Sequence, residues 1–99
     1  MTSNLKEWLA LNGYSQDNLN SVGKYGNSAI MKASREANLS IVDELISLNV
    51  DLNVKNIDGN SALWNACFGD SYACFEALVS AGINIDSQNV NNVTSLMYC

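Results

Sequence analysis

The sequence predicts an all-α solenoid, in which short helix pairs joined by hairpin loops stack side by side. Three observations carry this. Gly26-Asn27-Ser28-Ala29 recurs as Gly59-Asn60-Ser61-Ala62, an offset of 33 residues. In the same register Ile30 and Ala33 fall on Leu63 and Ala66, and Ile41, Val42, Leu45 and Ile46 fall on Cys74, Phe75, Leu78 and Val79. Finally, 47% hydrophobic against 15% charged residues gives a chain of 99 residues enough apolar surface for a core. A pair of short helices cannot cover its own apolar stripe, whereas stacked copies bury it continuously.

The elements follow in chain order. Leu5, Trp8, Leu9 and Leu11 make the apolar face of a first helix that Asn12-Gly13 ends. Residues 1–22 are therefore expected to be a capping half repeat. Asn20 lies six residues before Gly26, as Asn53 lies six before Gly59. Residues 23–55 form repeat 1 and 56–88 repeat 2. In each, a serine (Ser28, Ser61) is expected to cap a short helix that turns Ile30, Ala33 and Ser34, or Leu63, Ala66 and Cys67, inward. A second helix with apolar positions at i, i+1, i+4 and i+5 follows and stops at Asn49 or Gly82, both types that tolerate a left-handed backbone. Gly23-Lys24-Tyr25-Gly26 reads as a hairpin tip. Residues 89–99 begin a third repeat, with Asn92-Val93-Thr94-Ser95-Leu96 one further step of 33 along.

These segments resemble the ankyrin repeat. The family pattern G-x-T-P-L-H-x-A-A is matched by Gly26-Asn27-Ser28-Ala29-Ile30-Met31-Lys32-Ala33-Ser34 and by Gly59-Asn60-Ser61-Ala62-Leu63-Trp64-Asn65-Ala66-Cys67. The G-A-D-V-N ending is matched by Asn49-Val50-Asp51-Leu52-Asn53 and Gly82-Ile83-Asn84-Ile85-Asp86. There are departures. Ala29 and Ala62 replace the proline. Met31 and Trp64 replace the histidine that in the family bonds locally to the threonine. Ala37 and Asp70 stand where the family has a glycine between the helices, so that turn is expected to shift, with Gly69 serving in repeat 2. Trp64 is expected in the core, Phe75 buried like Val42, and Tyr72 half-exposed.

The resemblance implies protein–protein recognition through a concave face of hairpin tips and first-helix surface. Carried over position by position, that face is Lys24, Tyr25, Asn27, Arg35 and Glu36 in repeat 1, Ile57, Asp58, Asn60, Phe68 and Gln88 in repeat 2, and Val90, Asn91 and Val93 in the third start. Tyr25, Ile57, Phe68 and Val90 are its apolar members and the expected anchors. The net charge of -5 suggests a partner with a neutral or basic patch and binding that weakens with salt.

Composition narrows the alternatives. Five scattered Lys and Arg against ten Asp and Glu do not suit nucleic acid. No apolar run approaches the ~20 residues of a membrane span, and the N-terminus has no secretory pattern, so a cytoplasmic location is the default. The chain has no histidine, which removes Ser–His and Cys–His nucleophile pairs. Its three cysteines lack metal-ligand spacing and are expected as small core residues in a reducing compartment. No enzyme activity and no cofactor are expected. Fifteen asparagines supply most of the polarity, and the sequence assigns them no role.

Cys99 falls in mid-motif. That leads to the expectation of a longer array cut after Cys99, or of self-association through an open C-terminal end. A substrate-recruiting or regulatory segment of a longer enzyme or effector is the alternative function, and a spacer without a partner is a third.

Overall fold

The computed structural model describes residues 1–84, apart from the side chain of Lys24. The helices are α1 (Ser3–Leu11), α2 (Ala29–Arg35), α3 (Leu39–Ser47), α4 (Ala62–Phe68) and α5 (Tyr72–Ser80), with a short 3-10 turn at Lys24–Gly26. They pack as two rows: α2 lies against α4, α3 against α5, and each pair α2–α3 and α4–α5 is closed on itself. One core runs through both rows and includes Leu5 and Leu9 of α1, Ile30 and Ala33 of α2, Ile41, Val42 and Leu45 of α3, Leu63 and Ala66 of α4, and Cys74 and Leu78 of α5. The apolar register read across the 33-residue step is thus the register of the core except at Phe75, which is half-buried, and at its last position, where Ile46 is half-buried and Val79 exposed.

Each helix ends in the same way. A residue in the left-handed region follows it: Gly13 (φ 77°), Ala37 (58°), Asn49 (60°), Asp70 (53°) and Gly82 (91°). The next N–H then reaches back over the last turn: Tyr14 to the Leu9 carbonyl at 2.9 Å, Asn38 to Ala33 at 2.9 Å, Val50 to Leu45 at 3.4 Å, Ser71 to Ala66 at 3.0 Å and Ile83 to Leu78 at 3.2 Å. This satisfies carbonyls that the helix itself leaves unpaired. Asn49 and Gly82 behave as expected. The turn between α2 and α3 is not shifted, however: Ala37 and Asp70 themselves take the left-handed conformation. Gly69 does not (φ -80°). Its glycine is required for a different reason, since a Cβ there would strike the backbone carbonyl of Arg35.

The helix starts also correct one expectation. Thr2, Asn38 and Ser71 cap α1, α3 and α5 through their side chains, accepting from Leu5, Ile41 and Cys74 at 3.2, 3.4 and 3.2 Å. Ser28 and Ser61 do not cap α2 and α4 with theirs. The Ser28 hydroxyl is buried without a hydrogen-bond partner. Met31, in the place of the histidine that would bond to it, has no polar atom to offer and lies in the core instead. Two other buried polar side chains are satisfied inside the helices: Ser34 Oγ donates to the Ile30 carbonyl at 2.7 Å and Asn65 Nδ2 to the Ser61 carbonyl at 3.0 Å.

α1 is held to the first helix pair by polar contacts around its two buried leucines. Thr2 donates from its N–H at 2.7 Å and from its hydroxyl at 2.5 Å to the Glu44 carboxylate of α3. Trp8 Nε1 donates to Glu36 Oε1 at 3.3 Å. The Trp8 ring stacks on Tyr14 at 5.9 Å with planes 6° apart. Trp64 is buried, as expected. Phe75 is half-buried rather than enclosed like Val42, and Tyr72, at the start of α5, is 76% exposed. Cys74 is free and buried, as expected, whereas Cys67 is half-buried and disulfide-bonded rather than a reduced core thiol, and Cys99 lies outside the described residues.

Candidate functional site

The hairpins are built twice from the same bonds. Gly23 N–H donates to the Asn27 carbonyl at 2.9 Å and Gly26 N–H to the Gly23 carbonyl at 3.0 Å; in the next repeat Asn56 donates to Asn60 at 3.0 Å and Gly59 to Asn56 at 2.9 Å. Gly26 (φ 74°) and Gly59 (φ 75°) supply the left-handed corner. In the first tip Tyr25 is left-handed as well (φ 61°), which costs a non-glycine residue about 1–2 kcal/mol.

The two tips are joined directly. Ile57 N–H donates to the Tyr25 carbonyl at 2.9 Å, and Asn56 Nδ2 donates to Asn27 Oδ1 at 2.9 Å. Asn56 Oδ1 accepts from the N–H groups of Asp58 and Asn60, both at 3.0 Å. One asparagine thereby shapes its own tip and fixes it to the preceding one. Gly26 allows the close approach, because a Cβ there would stand 3.3 Å from Ile57 N. With their backbones engaged, the Tyr25 and Ile57 side chains project outward, 62% and 71% exposed.

The first-row helices continue the surface. On α2, Lys32 pairs with Glu36 at 3.5 Å. The Arg35 guanidinium lies 5.4 Å from the Phe68 ring centroid of α4, and Phe68 rests on the buried Trp64 at 5.7 Å. Cation, ring and ring therefore form a stack from the surface inward.

The expected residues divide accordingly. Tyr25, Ile57, Asp58 and Arg35 are exposed, and the Lys24 backbone opens the first tip. Asn27 is half-buried and committed to Asn56. Phe68 is half-buried beneath Arg35 rather than open. Glu36 is exposed, but its carboxylate is taken up by Trp8 and Lys32. Asn60 is withdrawn from the set: it is 8% exposed, drawn under its hairpin by the bond to Asn56. Gln88, Val90, Asn91 and Val93 lie outside the described residues. Sequence reasoning missed Asn56 and Lys32. The Asn56-x-Asp58 spacing of a side-chain-closed turn signals the first, and the i, i+4 step from Lys32 to Glu36 signals the second.

Among the described residues two ionisable groups depart from ordinary behaviour, both at the α1 cap. The Thr2 hydrogen bonds hold the Glu44 carboxyl below the usual carboxylate range. Burial, with the Glu36 charge adding to it, pushes the Tyr14 phenol up. Among the described residues no group of three or more His, Cys, Asp or Glu could hold a metal ion, and no helix is long and apolar enough to cross a membrane.

Repeated helix pairs with joined hairpin tips define a repeat protein. The family model of ankyrin repeats, in three copies, matches residues 2–99, and the chain belongs to the ankyrin-repeat family. Ankyrin repeats are in general protein–protein interaction modules.

Proposed function

We propose that the chain is a protein-binding module that meets its partner through the hairpin tips and the open side of α2 and α4, without catalysis of its own. The observation that carries this is the pair Tyr25 and Ile57. Two large apolar side chains project from adjacent tips whose backbones are bonded together, and Tyr25 does so from a left-handed backbone. An aromatic held outward on a rigid support loses little freedom on binding and removes much apolar area from water. Lys24, Asn27 and Asp58 belong to the same two hairpins, and Arg35 and Phe68 extend the face at the far ends of α2 and α4. Gln88, Val90, Asn91 and Val93 extend the face in this reading, and a protein, not nucleic acid or membrane, is its occupant.

Site-specific photo-crosslinking in the source cell tests the proposal. A photoreactive residue at position 57 should trap a protein partner, and one at Asp43 on α3 should not. Tyr25→Ser with Ile57→Ser should abolish the cross-link formed from a probe at Lys24 while leaving the thermal midpoint within a few degrees. Equal trapping from positions 57 and 43 would refute the assignment.

A further inference from the structure

The charges of this protein are sorted by row. Glu7 lies on α1, Asp43 and Glu44 on α3, Glu76 on α5, and Asp17 and Asp51 in loops that follow second-row helices or the cap. Lys24, Lys32, Arg35 and Lys55 instead lie on the hairpins and α2. On that side stand three acids: Glu36, already held by Lys32 and Trp8, Asp58 on the second tip, and Asp70 in the turn after α4. Among the described residues, most of the negative charge therefore lies on the second row and the cap. The proposed binding face is locally neutral to basic.

Resting on the reading given under Proposed function, we infer that the occupant of this face is an extended protein segment carrying a carboxylate and a large apolar side chain. The carboxylate docks on Arg35. Among the described residues no carboxylate pairs with that guanidinium, and the Phe68 ring lies beneath it at 5.4 Å. A guanidinium so placed offers parallel N–H donors to a planar carboxylate, which an ammonium does not. The apolar side chain docks between Tyr25 and Ile57. Tips and Arg35 are separated by the length of α2, seven residues or ~10 Å at 1.5 Å per residue. An extended segment advances ~3.4 Å per residue, so the two anchoring side chains stand about three residues apart. The sign is opposite to the one suggested by the net charge. At long range the whole protein repels an acidic segment, so electrostatic steering is weak and affinity comes from short-range contacts.

Selection of a random-peptide library against the purified chain, followed by amide-shift mapping with the selected peptides, tests this. Enrichment of Asp or Glu about three residues from an aromatic or aliphatic side chain, with shifts at Tyr25, Arg35, Ile57 and Phe68, is the expected result. Arg35→Glu should then weaken the selected peptides by about tenfold or more. Arg35→Lys, which keeps the charge and the fold but not the fork, should lose a smaller factor. Enrichment of Lys or Arg at the same shifted residues overturns the acidic partner and leaves the binding face standing. Shifts confined to α3 and α5, or no enrichment, overturn both.

Discussion

The Asn20 side-chain oxygen accepts the Asp51 N–H at 2.7 Å, and one repeat later the Asn53 oxygen accepts the Asn84 N–H at 2.9 Å. Each bond links the loop that ends one repeat to the loop that ends the next. Together with Asn56 on Asn27 at the tips, they give the abundant asparagines a structural use: a short side chain with both donor and acceptor, at the 33-residue step, fixes repeat to repeat without charge. Asn20→Ala and Asn53→Ala should each lower stability by about 1 kcal/mol, the net worth of one such bond, and urea denaturation measures it. No shift of the midpoint in either variant would mean that the ladder does not contribute.

Gly69 and Asp70 are neighbours with opposite requirements. Asp70 is left-handed at φ 53°, and so is Ala37 in the preceding repeat. Relieving that strain with Ala37→Gly or Asp70→Gly should stabilise by about 1 kcal/mol after the added freedom of the unfolded chain is counted. Gly69→Ala should destabilise by about 3 kcal/mol, because its Cβ would overlap the Arg35 carbonyl on a helix that packing holds in place. Thermal midpoints of the three variants should move in those directions, and a stabilised Gly69→Ala would contradict the packing of α4 against α2.

Ser28 separates two accounts of the α2 start. Were its hydroxyl a helix cap, Ser28→Ala would cost about 1 kcal/mol. The hydroxyl is instead 2% exposed and unpartnered, so its removal deletes a desolvated polar atom. Ser28→Ala should leave stability unchanged or raise it by up to about 1 kcal/mol. Chemical denaturation of this variant beside Ser71→Ala, which does lose a cap, provides the comparison.

Glu44 makes the α1 cap sensitive to acid. Its carboxyl is lowered in the folded state by the Thr2 hydrogen bonds. Its stabilising contribution is therefore complete above the ordinary carboxylate range of the unfolded chain. It is lost as pH falls through the lowered folded value. Trp8 fluorescence should report loosening of α1 on acidification, and Glu44→Gln should remove that part of the response. An unchanged acid limb in the variant would assign the response to other carboxylates.

The repeat step, the helix order, the apolar register and the stop signals at Asn12-Gly13, Asn49 and Gly82 were all legible in the sequence. Each rests on local chemistry or on a period that survives without knowledge of the fold. The tips were legible as tips, and Tyr25 and Ile57 as their apolar residues, because glycine spacing alone locates the corner. Tertiary structure decided what depends on neighbours distant in sequence. Asn60 is buried because Asn56 draws it under the hairpin, and Phe68 is covered because Arg35 from the preceding repeat lies over it. Ala37 and Asp70 are left-handed because the packed helix pairs fix the turn whatever residue occupies it. Above all, a sum of charges carries no direction. Only the stacking of two rows puts most of the described acids on one side and four of the five basic residues on the other, since each helix turns a fixed face to water once its apolar stripe is buried.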